Sequence, residues 1–283
     1  MIMKKINCET HTNKYLKSFS KHPNNLKVCN RCLLIFKDKN FEENYKTVIS
    51  FKKFNETSKY NVSNKKVDND LIFLNKYSKI LNIKEKIDVL DYGCGYGWFL
   101  EALQKKNING YGYDINEFFY KNLIKKFDMF HKTKDIEDFN KKFDIIFVKK
   151  VLCLSPDIIK DFILFKKKLK VGGHLVILDQ VAEFNRDAYH SLYFQKNSSH
   201  SHLLTMESLI KIAKAFNLVP VYKRNILGNI QLFLKNQNNE IAEINNEGNF
   251  FFYRIKIKTH LYLGFIFIFF HRIFQFLRDN FIK

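Results

Sequence analysis

Ile87-Asp88-Val89-Leu90-Asp91-Tyr92-Gly93-Cys94-Gly95-Tyr96-Gly97 holds the end of a strand, a glycine turn and the approach to a helix in one short stretch. Ile87, Val89 and Leu90 form an apolar run that ends in Asp91, the pattern of a buried strand. Trp98 to Lys106 follows with helical spacing, with Phe99, Leu100 and Leu103 apolar. Glycines between strand and helix let the backbone turn sharply and leave room for a ligand against the main chain. A second strand is expected over 108–113, ending at Asp114. An acidic residue at that place can accept both hydroxyls of an adenosine ribose, so the stretch reads as a nucleoside-cofactor site.

The glycine spacing separates two kinds of cofactor. A dinucleotide fold carries G-x-G-x-x-G with a pyrophosphate on the helix N-terminus. This chain has G-x-G-x-G, with Asp91 two residues before the first glycine. A carboxylate there repels a pyrophosphate and suits a ligand with a cationic amino-acid end. The combination resembles motif I of the class I S-adenosylmethionine-dependent methyltransferases, [D/E]-x-G-x-G-x-G. The rest of that family's order follows. Phe143-Asp144-Ile145-Ile146 resembles its F-D-[VI]-I opening of strand four, and Leu169-Lys170-Val171-Gly172-Gly173 its L-K-P-G-G turn before a fifth strand over 174–179. Asp135-Ile136-Glu137 falls where the family places an acidic residue near the adenine amino group. The resemblance covers about residues 70 to 235. It implies an α/β class with a Rossmann-like, seven-stranded methyltransferase sheet. It further implies S-adenosyl-L-methionine as cofactor, held by Asp91, Gly93, Gly95, Gly97, Asp114, Ile115, Asp135, Ile136 and Lys149.

Three cysteines near the N-terminus have a spacing of their own. Cys8-x2-His11 precedes Cys29-x2-Cys32, and two such pairs on tight turns can aim four donors at one tetrahedral zinc. Reduced, half-buried cysteines without a metal are the alternative. Val28 to Phe36 also resembles half of a zinc-binding segment that precedes some sugar methyltransferases, with His11 in place of a cysteine and Leu33 in place of a glycine. The domain organisation expected is a zinc-binding segment over 1–40, a helical linker or cap over 41–83, the methyltransferase domain over 84–238, and a polar loop with an amphipathic aromatic tail over 239–283. Within the linker, Asp70 is expected to cap a helix from Leu71 to Leu81, with Leu71, Ile72, Leu74 and Leu81 packed on the sheet. Tyr45 stands about where the family has a tyrosine closing over the cofactor, and a core position suits it equally.

Substrate is read after the fifth strand, because loops there line the ligand crevice of open α/β sheets. The irregular stretch 180–201 leads to Ser199-His200-Ser201-His202-Leu203-Leu204-Thr205 and a helix over 206–216. Sugar C-methyltransferases of this type carry acidic-His-Leu-x-x-[ST] before that helix. His202 matches their histidine, Ser201 replaces the acidic residue, and Cys153-Leu154 stands where they carry Glu-His. An acceptor hydroxyl needs a base within hydrogen-bond reach. His202 is the first candidate, His200 and His190 the second, and Tyr189 a further one; local hydrogen bonding near the helix start is the structural reading of His202. The expected acceptor is a small molecule or glycan, a nucleotide-linked or surface sugar methylated at O or C. RNA, lipid or quinone methylation, and cofactor binding without catalysis, are the rival readings.

Composition bounds the partners. The formal net charge is +20 over 283 residues, which suits nucleic acid or anionic lipid. The lysines are nonetheless dispersed, with Lys166-Lys167-Lys168 the densest run, and a solvated basic surface makes nucleic acid the lesser expectation. Five cysteines in a chain of this size point to a reducing compartment, and the polar start after Ile6 lacks a cleavable signal pattern. A cytoplasmic location is expected. Two strands over 219–223 and 230–234 should close the sheet in antiparallel fashion. In the tail, 261–270 is apolar but too short to span a bilayer. His271, Arg272, Gln275, Arg278 and Asp279 then oppose Ile273, Phe274, Phe276, Leu277 and Phe281, which suits an interfacial membrane helix over 261–283 or a helix docked on protein.

Overall fold

The structure, a computed structural model, describes residues 16–18, 26–29, 32–37, 64–83, 86–116, 119, 121, 123, 126–131, 136, 141–155, 157–181, 202–226, 229–237, 255 and 259. Period-2 hydrophobic runs build the sheet. β4 (Asp88–Tyr92), β5 (Asn109–Asp114), β6 (Asp128–His131), β7 (Phe143–Lys149), β8 (Leu169–Gln180), β10 (Leu218–Ile226) and β11 (Asn229–Asn236) form one sheet in the order β10-β11-β8-β7-β4-β5-β6. The β6-β5-β4-β7-β8 portion is parallel. β11 runs antiparallel to both β8 and β10. The strand order reverses at β4, so the carboxyl ends of β4 and β7 flank the crevice where open α/β sheets bind ligands.

Alternation along the strands makes two apolar layers. Leu90, Ile146, Val148, Leu175, Ile177, Leu232 and Leu234 face α3 (Ile158–Lys168) and α4 (Met206–Ala215), joined by Phe162, Phe165, Leu209 and Ile212. Val89, Ile145, Phe147, Val176 and Phe233 face α1 (Asn64–Tyr77) and α2 (Trp98–Lys105), joined by Val67, Leu74, Phe99, Leu100 and Leu103. Phe99 stacks on Phe147 with ring centroids 3.8 Å apart.

Two expectations are corrected here. The helix before the first strand of this sheet spans Asn64–Tyr77, so Asp70 lies inside it and caps nothing. Val67, Asp70, Leu74 and Tyr77 are its buried stripe, Leu81 is buried in the turn beyond it, and Ile72 is 63% exposed. The stretch Leu169–Gly173 belongs to β8 and not to a separate turn. The pairing of β7 with β8 shifts register between Phe143 and Ile145, which absorbs the bend. A Cβ on Gly173 would lie 2.8 Å from the Asp144 carbonyl oxygen and 2.9 Å from that of Lys170, so only glycine fits this approach.

A second, four-stranded sheet joins β1 (Leu16–Ser18), β2 (Leu26–Cys29), β3 (Ile35–Lys37) and β9 (His202–Leu203), all antiparallel. The N-terminal strands are thus completed by a strand from far along the chain, with Ile35 opposite Leu203 and Phe36 opposite His202. Between β2 and β3 the chain closes tightly. The Leu33 N–H donates to the Cys29 carbonyl and the Cys29 N–H to the Leu34 carbonyl, both at 2.9 Å. Leu33 takes φ 62° to make this turn, a left-handed conformation that glycine adopts more easily.

Candidate active site

The carboxyl end of β4 delivers Asp91 on the α1 side of the sheet, because it alternates with Leu90 and Tyr92. The chain then turns through Gly93, Gly95 and Gly97, at φ 81°, 51° and 75°. Gly93 and Cys94 N–H groups donate to the Tyr113 carbonyl at 2.7 and 3.1 Å, which ties the turn to the end of β5. Asp114 follows directly. Its Oδ2 accepts from the Gly95 N–H at 2.9 Å and its Oδ1 from the Asn116 N–H at 2.8 Å. The carboxylate is therefore oriented before any ligand arrives. Space opens at Gly95: among the described residues a Cβ there would meet nothing within 4 Å. α2 starts at Trp98 behind Gly97, which has no side chain with which to cap the first amides. The buried Trp98 indole Nε1 has no hydrogen-bond partner among the described residues.

Electrostatics mark the same corner. Asp91 is 3% exposed. Burial pushes its carboxyl up to about 8; the Lys149 ammonium opposes the rise, while the nearby Asp70 and Asp114 carboxylates add to it. Lys149, at the end of β7, holds Asp70 Oδ1 of α1 at 2.7 Å. Lys66 of the same helix sits 3.4 Å over the Trp98 ring. Burial, then the Lys149 and Lys150 charges, lower the Lys66 ammonium below its ordinary value. Burial and the Asp91 and Asp114 charges keep the Cys94 thiol well above its ordinary value, so Cys94 is no nucleophile.

These features fit S-adenosylmethionine. Asp114 suits the ribose hydroxyls, the opening at Gly95 admits a ligand close to the main chain, and Asp91 suits a cationic amino-acid end. Of the other expected cofactor residues, Ile115 is half-buried beside Asp114 and Ile136 is buried in the α3 side cluster. Asp135 lies outside the described residues. Asp70, Lys66 and Trp98 are the site neighbours that sequence reasoning missed. Their signal was an aspartate on the apolar stripe of a helix, a place where an acid is rarely found without a partner.

β9 packs against a 3-10 turn over Leu152–Leu154 that follows β7. His202 is 1% exposed within this contact. The cap of α4 is Thr205, whose hydroxyl accepts from the Ser208 N–H at 3.0 Å while Ser208 Oγ accepts from the Thr205 N–H at 3.1 Å. Helix capping is thus the role of Thr205, and His202 is a strand residue. Cys153 stands in the 3-10 turn beside Asp179; burial and that carboxylate keep its thiol well above its ordinary value. Tyr189, His190 and His200 lie outside the described residues, as do Tyr45 and all but Ile255 and Thr259 of the tail. Among the described residues no helix is long and apolar enough to cross a membrane.

The metal expectation gains no support from the described residues. Cys29 and Cys32 are buried in the α3 side cluster, and no group of three or more His, Cys, Asp or Glu among the described residues is placed to hold a metal. Cys8 and His11 lie outside them.

Solved structures share this fold at low identity. The plantazolicin methyltransferase BpumL, in complex with a monoazolic desmethylPZN analog and SAH, is 17% identical with a TM-score of 0.50, covering 70% of this chain and 98% of that one. An S-adenosylmethionine-dependent methyltransferase from Clostridium acetobutylicum is 16% identical with a TM-score of 0.46, covering 69% and 99%. No curated protein matches the chain. Residues 67–223, more than half of the chain, match the family described as methyltransferase domain. The chain belongs to that family, and its class of enzyme is the S-adenosylmethionine-dependent methyltransferase.

Proposed function

We propose that the protein transfers a methyl group to a sugar, nucleotide-linked or in a glycan, with the cofactor held at the Gly93–Gly97 turn. One observation carries the cofactor part: a buried Asp91 and an Asp114 oriented by the Gly95 N–H meet at the carboxyl edge of the sheet, beside open space at Gly95. S-adenosylmethionine supplies a sulfonium-bound methyl and its own leaving group. Asp114 holds the ribose hydroxyls, and Asp91 faces the ammonium end, where a cation favours its ionised form. The remaining task of the protein is alignment. His202 is the proposed base for an acceptor hydroxyl. Its support is position, since β9 sits against the turn that follows β7.

The sugar reading rests on the N-terminal segment. The turn at Cys29–Leu34 gives Leu33 the backbone conformation for which the resembling segments carry glycine. The strand after that turn pairs with the one bearing His202. We propose that Cys29 and Cys32 supply two zinc donors and Cys8 and His11 the others. Transfer of labelled methyl from S-adenosylmethionine to extracted nucleotide sugars, glycans and RNA, each assayed separately, tests the reading. Label should enter the sugar pools. Label in RNA alone would replace the sugar with nucleic acid.

A further inference from the structure

Next to the cofactor corner lies a second depression. β8 and β11 are antiparallel, so the carboxyl end of one meets the amino end of the other: Asp179 is opposite Ile230, and Leu178 opposite Gln231. Arg224 of β10 is in turn opposite Gln231. β7 stops at Lys149, level with Leu178 and Gln231, while β8 and β11 stay paired as far as Gln180 and Asn229. The resulting cavity has a volume of about 190 Å³; Lys149, Lys150, Asp179, Arg224, Asn229 and Gln231 are its polar lining, and Leu178, Ile226 and Ile230 its apolar wall. Small-molecule sites usually run to roughly 300–1,000 Å³. This one therefore suits one group of a ligand and not the whole of it.

The charges of the lining divide unevenly. Asp179 is buried and accepts the Leu152 N–H at 3.1 Å. Lys149 is paired with Asp70. Lys150 and Arg224 form no ion pair with a carboxylate among the described residues. Arg224 follows Tyr222 by two residues on β10, and the Tyr222 hydroxyl lies 3.3 Å from that of Tyr77. Lys150 takes φ 57° where β7 ends, and its N–H donates to the Leu178 carbonyl at 2.8 Å. That left-handed backbone suits glycine or asparagine better than lysine. A fork of planar donors and a point charge facing one small cavity is the arrangement that recognises a phosphoryl group.

We propose that this cavity binds a phosphate of the acceptor, so that the enzyme acts on a phosphate-bearing sugar and not on a neutral glycan. The inference rests on the reading of the crevice as a methyl-transfer site, because Lys149 borders both the cavity and the Asp91 corner. Lys150 and Arg224 anchor the phosphate, and the sugar it carries extends toward the cofactor.

Calorimetry on the full chain tests this, with S-adenosylhomocysteine, pyrophosphate and uridine diphosphate as probes. Pyrophosphate should bind the wild type. Lys150→Ala and Arg224→Ala should each weaken it by about tenfold or more. Both side chains are exposed, so the variants should melt like the wild type and bind S-adenosylhomocysteine unchanged. Tighter binding of uridine diphosphate than of pyrophosphate assigns the phosphate to a nucleotide-linked sugar. Equal binding assigns it to a phosphate ester without a nucleotide; either result upholds the proposal. Undiminished pyrophosphate binding in the double variant overturns it, as does no binding to a wild type that takes S-adenosylhomocysteine. A single-stranded RNA bound at least about a hundredfold more tightly than pyrophosphate, through the same two side chains, overturns it in favour of nucleic acid. A folded wild type that fails to bind S-adenosylhomocysteine removes the methyl-transfer reading and this inference together.

Discussion

At the scale of single residues, Asp91 is the group whose environment says most. A carboxyl pushed up to about 8 by burial has an ordinary value of 3.8 in the unfolded chain. Below that ordinary value both states carry the proton. Between about pH 4 and pH 8 the unfolded chain ionises and the folded one does not, so stability falls with rising pH by up to about 1.4 kcal/mol per unit. Above pH 8 the fall levels off. Denaturation of the ligand-free protein across this range should show the slope, and Asp91→Asn should flatten it; an unchanged slope in the variant would assign it to another group. Ligand binding near pH 7 should release a proton if Asp91 meets a cation, which calorimetry in buffers of different ionisation heat detects. His202 makes a separate prediction. His202→Ala should leave cofactor affinity intact and lower turnover by about 10²–10⁴-fold if the imidazole takes the acceptor proton. A loss of only a few-fold would make it a packing residue of β9.

Secondary-structure elements show what the sequence made readable. Strands and the glycine turn were legible because their apolar runs and breakers are local: 88–92, 143–149 and the closing hairpin stand within a few residues of where the periodicity puts them. α1 was misread at its start. Lys65, Lys66, Asp68 and Asn69 look like a solvated run, and only the fold shows that Asp70 shares the buried face with Val67 and Leu74. The pairing of β3 with β9 was illegible, since it joins strands over 160 residues apart whose register no local pattern encodes. By contrast, the serine-or-threonine preference before α4 now has a cause. Thr205 and Ser208 form a reciprocal cap, and Thr205→Ala should cost about 0.5–2 kcal/mol, read as a lower denaturation midpoint. No change would mean that tertiary packing alone fixes the helix start. The β2–β3 turn carries the metal prediction. Protein purified without chelator should hold about one zinc per chain, lost when Cys29 and Cys32 are replaced by serine. Metal analysis that finds none in the wild type would reduce both cysteines to apolar core.

For the whole molecule, the central claim is that three distant pieces of chain meet around one cofactor. β4 brings Asp91, β5 brings Asp114, and α1 brings Asp70, which Lys149 of β7 holds in an ion pair. The parallel order fixes this meeting, because β4 lies between β5 and β7 and all three point their carboxyl ends the same way. The most direct test is a calorimetric titration of S-adenosylhomocysteine into wild type and Asp114→Ala, with folding of both verified by circular dichroism. Wild type should bind one equivalent, and the variant should lose about 1.5–3 kcal/mol of binding free energy with its charged hydrogen-bond partner. Equal affinity in the two proteins, or no binding to a folded wild type, would contradict the account.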